Sequence, residues 1–378
     1  MEQQRASVDP WLLFAVLSLL GFGVVMVYSA SAVFAEAQTG DALFYLKRQL
    51  INMVLGLVAL GLGMRIGLQR LVKLAYPLLG LTFILLVLVL IPGVAVRAGG
   101  SSRWLPLGLM NFQPGELAKV AFVVYLAFSL TRKKDRIQVF SVGFLPHLMV
   151  SGVLVLLLLG QPDFGTAVTL TVIMFLMLFV AGARVIYIAV AGLAALPMAY
   201  LLVVGSEYRM RRLLAFLDPW ANRFDIGYQI SESLMSFGSG GVFGAGLGEG
   251  KHKLFFLPAA HTDFIFSLVG EELGLIGAGL VLLVFSVIVW RGLRAGLRSP
   301  SLFGTYLAFG LSALIGLQTL INIGVVTGVL PTKGLTLPFI SYGGSSLICS
   351  MFAAGILLDI SASGNRPEPT PDSKLTWP

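Results

Sequence analysis

The sequence predicts an all-α polytopic membrane protein of about ten transmembrane helices, with both termini cytoplasmic and a long extracytoplasmic loop between helices 7 and 8. Three observations carry this. Hydrophobic residues make up 57% of the 378 residues and charged residues only 12%, about half the charged share of a soluble domain. Apolar runs of about 20 residues, long enough to cross a bilayer, recur along the chain. Polar sequence gathers in three connections, 93–115, 206–263 and 329–345, which alternate counting of the runs puts on one side.

Residues 1–10 form a short cytoplasmic segment. The first run, 11–33, ends in Ser29-Ala30-Ser31-Ala32, which resembles a small-residue cleavage site. It is about twice the apolar length of a signal peptide and only Arg5 precedes it, so it reads as a retained helix. Runs 49–66 and 74–92 follow. The run 116–131 is short and carries Glu116 and Lys119. Runs 142–160 and 165–183 are parted by Gln161-Pro162-Asp163-Phe164; Pro162 lacks a backbone donor, so two spans fit better than one long helix. Runs 185–205, 264–290, 303–328 and 345–362 complete a single membrane domain, 11–362. The Pro-rich polar tail 363–378 is expected to be disordered and cytoplasmic.

A net charge of +8 would suggest nucleic acid for a soluble protein. Here Lys and Arg lie mostly between apolar runs and read as orienting charges and contacts to membrane lipids, with no nucleic-acid partner. Short connections such as Arg132-Lys133-Lys134-Asp135-Arg136 set the orientation. Cys349 is the single cysteine, so no intramolecular disulfide forms, and no base stands near it in sequence to activate the thiol.

The polar stretch Phe256-Leu257-Pro258-Ala259-Ala260-His261-Thr262-Asp263-Phe264-Ile265-Phe266 stands where the eighth run begins. An ionisable side chain there is costly and therefore a functional candidate. Asp263 is either a working carboxylate or the cap of a helix beginning at Phe264. His261 joins it only in a loop conformation, and Glu271 and Glu272 either brace that helix or pair with loop arginines. In the first connection, Gly99-Gly100-Ser101-Ser102-Arg103-Trp104 precedes Phe112-Gln113-Pro114-Gly115-Glu116-Leu117-Ala118-Lys119. Pro114-Gly115 suits a turn into a helix whose positive end Glu116 faces. Glu116 and Lys119 share a helix face; they form a structural ion pair, or Lys119 and Arg103 attract an anionic group such as pyrophosphate. Asp163 caps the next helix or adds a second carboxylate.

The long loop opens with Tyr208-Arg209-Met210-Arg211-Arg212, a basic cluster that meets lipid headgroups, steers an anionic substrate through Arg209 and Arg212, or docks a partner. Residues 238–250 are glycine-rich but lack the strand and helix of a dinucleotide fingerprint, so they read as a flexible loop and a candidate lid. The stretch 322–346, with Lys333, Ser341 and Tyr342, is irregular backbone of the kind tolerated at membrane depth only beside protein or a water-filled cavity. No His-Glu-x-x-His or cysteine cluster points to structural zinc. A divalent cation, Mg or Mn, held by Asp263 and phosphate oxygens is expected, and no organic cofactor.

Residues 322–346 resemble the signature of the SEDS family (FtsW, RodA and SpoVE), the shape, elongation, division and sporulation polymerases. Arg103-Trp104, Gln113-Pro114-x-Glu116-x-x-Lys119, Gln161-Pro162-Asp163-x-Gly165-Thr166 and His261-Thr262-Asp263-Phe264-Ile265-Phe266 match in order, over Trp11 to Asp359. The forms at 208–212 and 330–338 are most similar to the cell-division branch. The resemblance implies a multi-pass peptidoglycan glycosyltransferase of the bacterial cytoplasmic (inner) membrane that polymerises lipid II at the division septum. The implied partners are a class B penicillin-binding protein and other divisome membrane proteins. It carries the essential aspartate onto Asp263, and substrate-site roles onto Arg103, Lys119 and Lys333. Many members have Glu where this chain has Ala259, which leaves Asp263 without a near carboxylate in sequence. The expected chemistry is an inverting transfer with Asp263 as general base. A lipid II flippase and a non-catalytic division scaffold are the alternatives.

Overall fold

The computed structural model describes residues 8–98, 101–106, 108, 111–221, 223–253 and 260–364. Among them are α1 (Pro10–Thr39), α2 (Phe44–Ile66), α3 (Leu68–Leu90), α4 (Pro114–Arg132), α5 (Leu145–Gly160), α6 (Phe164–Val180), α7 (Val185–Val204), α8 (Glu207–Leu217), α9 (Tyr228–Ser239), α10 (Ile265–Leu297), α11 (Leu302–Val326) and α12 (Gly344–Ser363). A wider π turn, Phe140–Phe144, leads into α5. Eight of these helices, α5 counted with its π turn, are long and apolar enough to cross a membrane, and α6 and α7 are shorter apolar helices. Together they match the ten expected runs. The break between α5 and α6 falls at Gln161–Asp163, as Pro162 required.

The least apolar span is the innermost one. Nearly every residue of α4 from Pro114 to Leu130 is buried, and α3, α6, α11 and α12 pack around it. A helix surrounded by protein need not be as greasy as one that faces lipid, which explains why hydropathy alone made 116–131 look weak. α2 and α12 pack through small residues: an added Cβ at Gly63 would lie 2.5 Å from the Phe352 carbonyl oxygen, and one at Gly355 2.2 Å from that of Leu60. Close backbone approach of this kind holds helices together where hydrophobic burial gives no advantage over lipid.

The connections differ from expectation. The first contains a small antiparallel sheet, β1 (Val96–Ala98), β2 (Ser101–Pro106) and β3 (Asn111–Phe112), in the order β1-β2-β3. The long loop contains α8 and α9, and Ser231, Ser233 and Ser236 of α9 are buried. α12 runs through Ser363, so the helix extends past the boundary drawn at 362; residues 365–378 of the expected tail lie outside the described residues.

α10 is interrupted at Gly274, whose φ of 66° and ψ of −166° break the helical path. The glycine-rich segment satisfies the backbone groups that the break frees. Leu275 N–H donates to the Gly241 carbonyl (3.0 Å) and Ile276 N–H to that of Val242 (3.2 Å), while Ala245 and Gly246 N–H donate to the carbonyls of Glu271 (2.9 Å) and Glu272 (3.0 Å). This corrects the reading of 238–250 as a flexible lid. Glycine is needed here because the two backbones touch: a Cβ on Gly244 would lie 2.3 Å from the Glu272 carbonyl oxygen. Broken helices persist at membrane depth only when protein re-satisfies their polar groups.

Candidate active site

Asp263 occupies the turn before α10. The helix cap is Phe264, with no side-chain capping bond, so Asp263 does not spend its carboxylate as a cap. Among the described residues that carboxylate accepts no hydrogen bond. Its backbone is fixed instead: Asn322 Nδ2, on α11, donates to the Asp263 carbonyl at 2.8 Å and to the Leu335 carbonyl at 2.7 Å. Tyr342 N–H donates to the His261 carbonyl at 3.0 Å. These bonds join the 260–264 turn to the irregular 329–343 segment, which forms one wall of the site.

Arg103, on β2, forms the opposite side. Its guanidinium donates to the carbonyls of Gln161 (3.3 Å) and Pro162, and Nη1 lies 3.8 Å from Asp163 Oδ1. Asp163 caps α6, accepting from Thr166 N–H (3.2 Å) and Thr166 Oγ1 (2.8 Å). Both readings of Asp163 therefore hold: it caps, and its charge reaches Asp263. Between the two sides stands Gly334, which is exposed. A Cβ there would lie 3.2 Å from Asp263 Oδ2 and 4.0 Å from Arg103 Nη1. The missing side chain leaves a solvent-facing gap between the carboxylate and the guanidinium.

Electrostatics follow from this packing. Burial pushes the Asp263 carboxyl up to about 6; Arg103 and Arg212 pull it down and Asp163 pushes it further up. Arg212, on α8, donates to the Thr332 carbonyl at 3.3 Å. Lys333 Nζ lies 5.3 Å from the centre of the Phe164 ring, and burial lowers its pKa. Arg103, Arg212, Lys333, Asp163 and Asp263 thus gather at one end of the bundle.

Other candidates lie elsewhere. His261 turns toward α1 and α2, its ring 4.6 Å from Tyr45, 5.7 Å from Tyr342 and 5.9 Å from Phe34. Burial pushes its pKa down to about 4, so at neutral pH it is an uncharged member of an aromatic cluster. Tyr342 bonds to Arg48, and Ser341 Oγ accepts from Leu337 N–H at 2.9 Å, shaping the loop. Lys119 Nζ pairs with Glu116 Oε1 at 2.7 Å, with both residues buried. The pair lines a cavity of about 10 Å³ with Gln318 and Cys349. Lys119 is bonded to Glu116 and is not among the charges that shift Asp263, which favours the structural reading of the pair. Arg209 is half-buried on α8, and Arg211 pairs with Asp225. Glu271 and Glu272 pair with His252 and Lys253 rather than with arginines. Ala259 lies outside the described residues.

Sequence reasoning passed over Asn322 and Gly334. Asn322 was detectable as an amide in an apolar run; nothing in sequence marks Gly334 beyond its place after Lys333. Among the described residues no three His, Cys, Asp or Glu side chains converge on a metal position. Asp263 and Asp163 offer a cation one or two carboxylates, the number Mg²⁺ takes when phosphate oxygens and water supply the remaining ligands.

Residues 10–366 match the family model of the FtsW/RodA/SpoVE cell cycle proteins. The chain is 50% identical over 353 residues to the "Probable peptidoglycan glycosyltransferase FtsW" of Geobacter sulfurreducens, covering 93% of this chain and 95% of that one. A chain of a solved peptidoglycan synthase complex, described as coordinating polymerization and crosslinking, superposes with a TM-score of 0.79 at 31% identity, covering 94% of this chain and 97% of its own. The rod shape determining protein RodA of Thermus thermophilus gives 0.70 at 31% identity, covering 94% and 96%.

Proposed function

The chain belongs to the FtsW/RodA/SpoVE family, on its FtsW branch, and from that premise we propose that it is a peptidoglycan glycosyltransferase with Asp263 as its general base. The observation that carries the assignment is the Asp263 carboxylate, uncapped and facing the gap at Gly334 beside Arg103. The substrate is lipid II, polymerised at the outer face of the bacterial cytoplasmic membrane, in septal wall synthesis. The 4-hydroxyl of an acceptor sugar attacks the anomeric carbon of the donor with inversion. Asp263 takes the hydroxyl proton, the bond from the anomeric carbon to the phosphate oxygen breaks, and undecaprenyl pyrophosphate leaves with the electron pair.

A base whose pKa lies near 6 is ionised at neutral pH and still basic enough to assist the transfer. Arg103, Arg212 and Lys333 offer fixed positive charge where the pyrophosphate charge concentrates. A divalent cation bound by Asp263, with Asp163 as the second available carboxylate, would add charge neutralisation at the leaving group. The partner is a class B penicillin-binding protein, a proposal supported by the synthase complex whose chain this one resembles.

Transport of the precursor has one feature in its favour, the broken helix α10, since transporters build sites at such breaks. Here the freed backbone groups are bonded to the glycine-rich segment, which leaves no open site at the break. The test is polymerisation of lipid II by purified protein with its transpeptidase. Asp263→Asn should abolish glycan strands while leaving a folded protein; strands made at the wild-type rate would remove Asp263 as the base. Precursor movement in liposomes without polymer would support transport instead.

A further inference from the structure

Beyond Asp263, α10 runs for only about 13 Å before it breaks, residues 265–273 at about 1.5 Å each. The break at Gly274 severs this short segment from the rest of α10, so the long helix does not hold it in place. Its position must come from side contacts. Its last turn carries Glu271 and Glu272, 2% and 1% exposed. Glu272 accepts from Ser29 Oγ of α1 at 2.7 and 2.8 Å and from Lys253 Nζ at 2.8 Å. Lys253 Nζ also donates to the Gly248 carbonyl (2.6 Å) and reaches Ser29 Oγ (3.0 Å). Glu271 accepts from Ser236 Oγ of α9 (2.9 Å), from the backbone N–H of Lys251 (2.6 Å) and His252 (3.2 Å), and from His252 Nδ1 (3.0 Å).

Among the described residues these groups bond to one another, to α1, to α9 and to the glycine-rich segment, and the proposed chemistry does not use them. Two carboxylates buried side by side are tolerable only when each is paired and fully bonded. The loop supplies a partner to each, while α1 and α9 supply the hydroxyls. We propose that His252 and Lys253 are positioning residues for Asp263: through Glu271 and Glu272 they lock the half-helix 265–273 against α1 and α9, and so set where the carboxylate at its start stands. The inference rests on the reading of Asp263 as the base. It adds that the far end of the half-helix, together with the Asn322 bond to the Asp263 carbonyl, holds the distance from Asp263 to Arg103 and Arg212, with the glycine-rich segment acting as a brace.

The test is lipid II polymerisation by the full chain with its transpeptidase, comparing wild type, Lys253→Met, Lys253→Arg and Asp263→Asn, with folding followed by elution and melting in detergent. Misplacing a catalytic group by about 1 Å costs up to about a hundredfold. Lys253→Met should lower kcat by at least about tenfold with KM within about twofold, and should shift the acid limb of the pH profile, because Asp263 moves relative to its arginines. Lys253→Arg should recover most of the rate. Should Lys253→Met not fold, His252→Gln, at a half-buried site, carries the same readouts. A folded Lys253→Met or His252→Gln protein with wild-type kcat and an unmoved acid limb overturns the clamp alone, provided Asp263→Asn is inert. An active Asp263→Asn protein overturns the base and the clamp together.

Discussion

The Asp263 carboxylate is costly to ionise, and the reason is burial rather than a hydrogen-bond partner. Two consequences can be measured. As a base it works only when deprotonated, so kcat/KM should rise with pH through about 6 and level off above. Arg103 holds the carboxyl below where burial alone would put it, so Arg103→Gln should move that limb to higher pH as well as slow the reaction. An unmoved limb would mean that another group titrates. The second consequence is in stability. The folded-state pKa lies above the ordinary 3.8, so the folded state binds the proton more tightly than the unfolded chain. The resulting stability is fully present below 3.8 and is lost as pH rises through about 6. Asp263→Asn removes the loss and should stabilise the protein at about pH 8, by up to about 3 kcal/mol, with the difference vanishing near pH 4. Melting curves of the two proteins in detergent across that range provide the check. A site residue whose removal stabilises the fold is one kept for chemistry rather than for structure.

At the scale of elements, the break in α10 is the feature that sequence hid. Glu271-Glu272-Leu273-Gly274 lies inside an apolar run that also holds Gly270, Gly277 and Gly279, and isolated glycines in such a run read as helix. The break exists because the glycine-rich segment packs against it, a contact between distant pieces of chain that no local pattern encodes. The spans were legible for the opposite reason: each needs about 20 apolar residues whatever its neighbours do. α9 was missed because its buried face is largely polar, with Ser231, Glu232, Ser233 and Ser236. A buried hydroxyl such as that of Ser233 looks like loop until its partners, Ser267 and the Val326 carbonyl, are in place. In the site, Asp263 was legible as a costly charge near a membrane surface and Arg103 as a partner for an anionic group. Arg212 read only as part of a basic cluster that could equally meet lipid or a partner. The structural pairing of Lys119 was not legible, because residues 116 and 119 share a helix face in either reading. Gly274→Ala tests the break. Its Cβ would lie 2.4 Å from Gly244 N and 2.5 Å from the Val242 carbonyl oxygen, at a φ of 66°. The substitution should cost at least about 2 kcal/mol, read as a lower melting temperature. Gly279→Ala, in the same helix with nothing within 4 Å of the added carbon, should be neutral; equal losses in both would argue against the brace.

On the scale of the whole molecule, the two ends of the bundle differ in kind. At one, Asp9 caps α1, its N–H donates to Ser361 Oγ of α12 at 3.1 Å, and its carboxylate pairs with Arg291 of α10. These contacts fasten three helices to one another. At the other end stand Asp263, Arg103, Arg212 and Lys333, with an open gap at Gly334. Which end faces outward is decided by charge. Arg132-Lys133-Lys134-Asp135-Arg136 is a short basic connection and belongs inside, whereas the arginines of α8 lie in a long connection that the positive-inside tendency largely ignores. The single cysteine makes this testable, because Cys349 is buried and should react slowly with a maleimide. Asp225, exposed in the connection between α8 and α9, and Asp135, exposed after α4, are suitable probes. Asp225→Cys should be labelled by a membrane-impermeant maleimide in intact cells, and Asp135→Cys only after permeabilisation. The reverse pattern would put Asp263 in the cytoplasm, on the wrong side of the membrane for building a wall outside it, and the polymerase reading would fall however well the site fits a pyrophosphate.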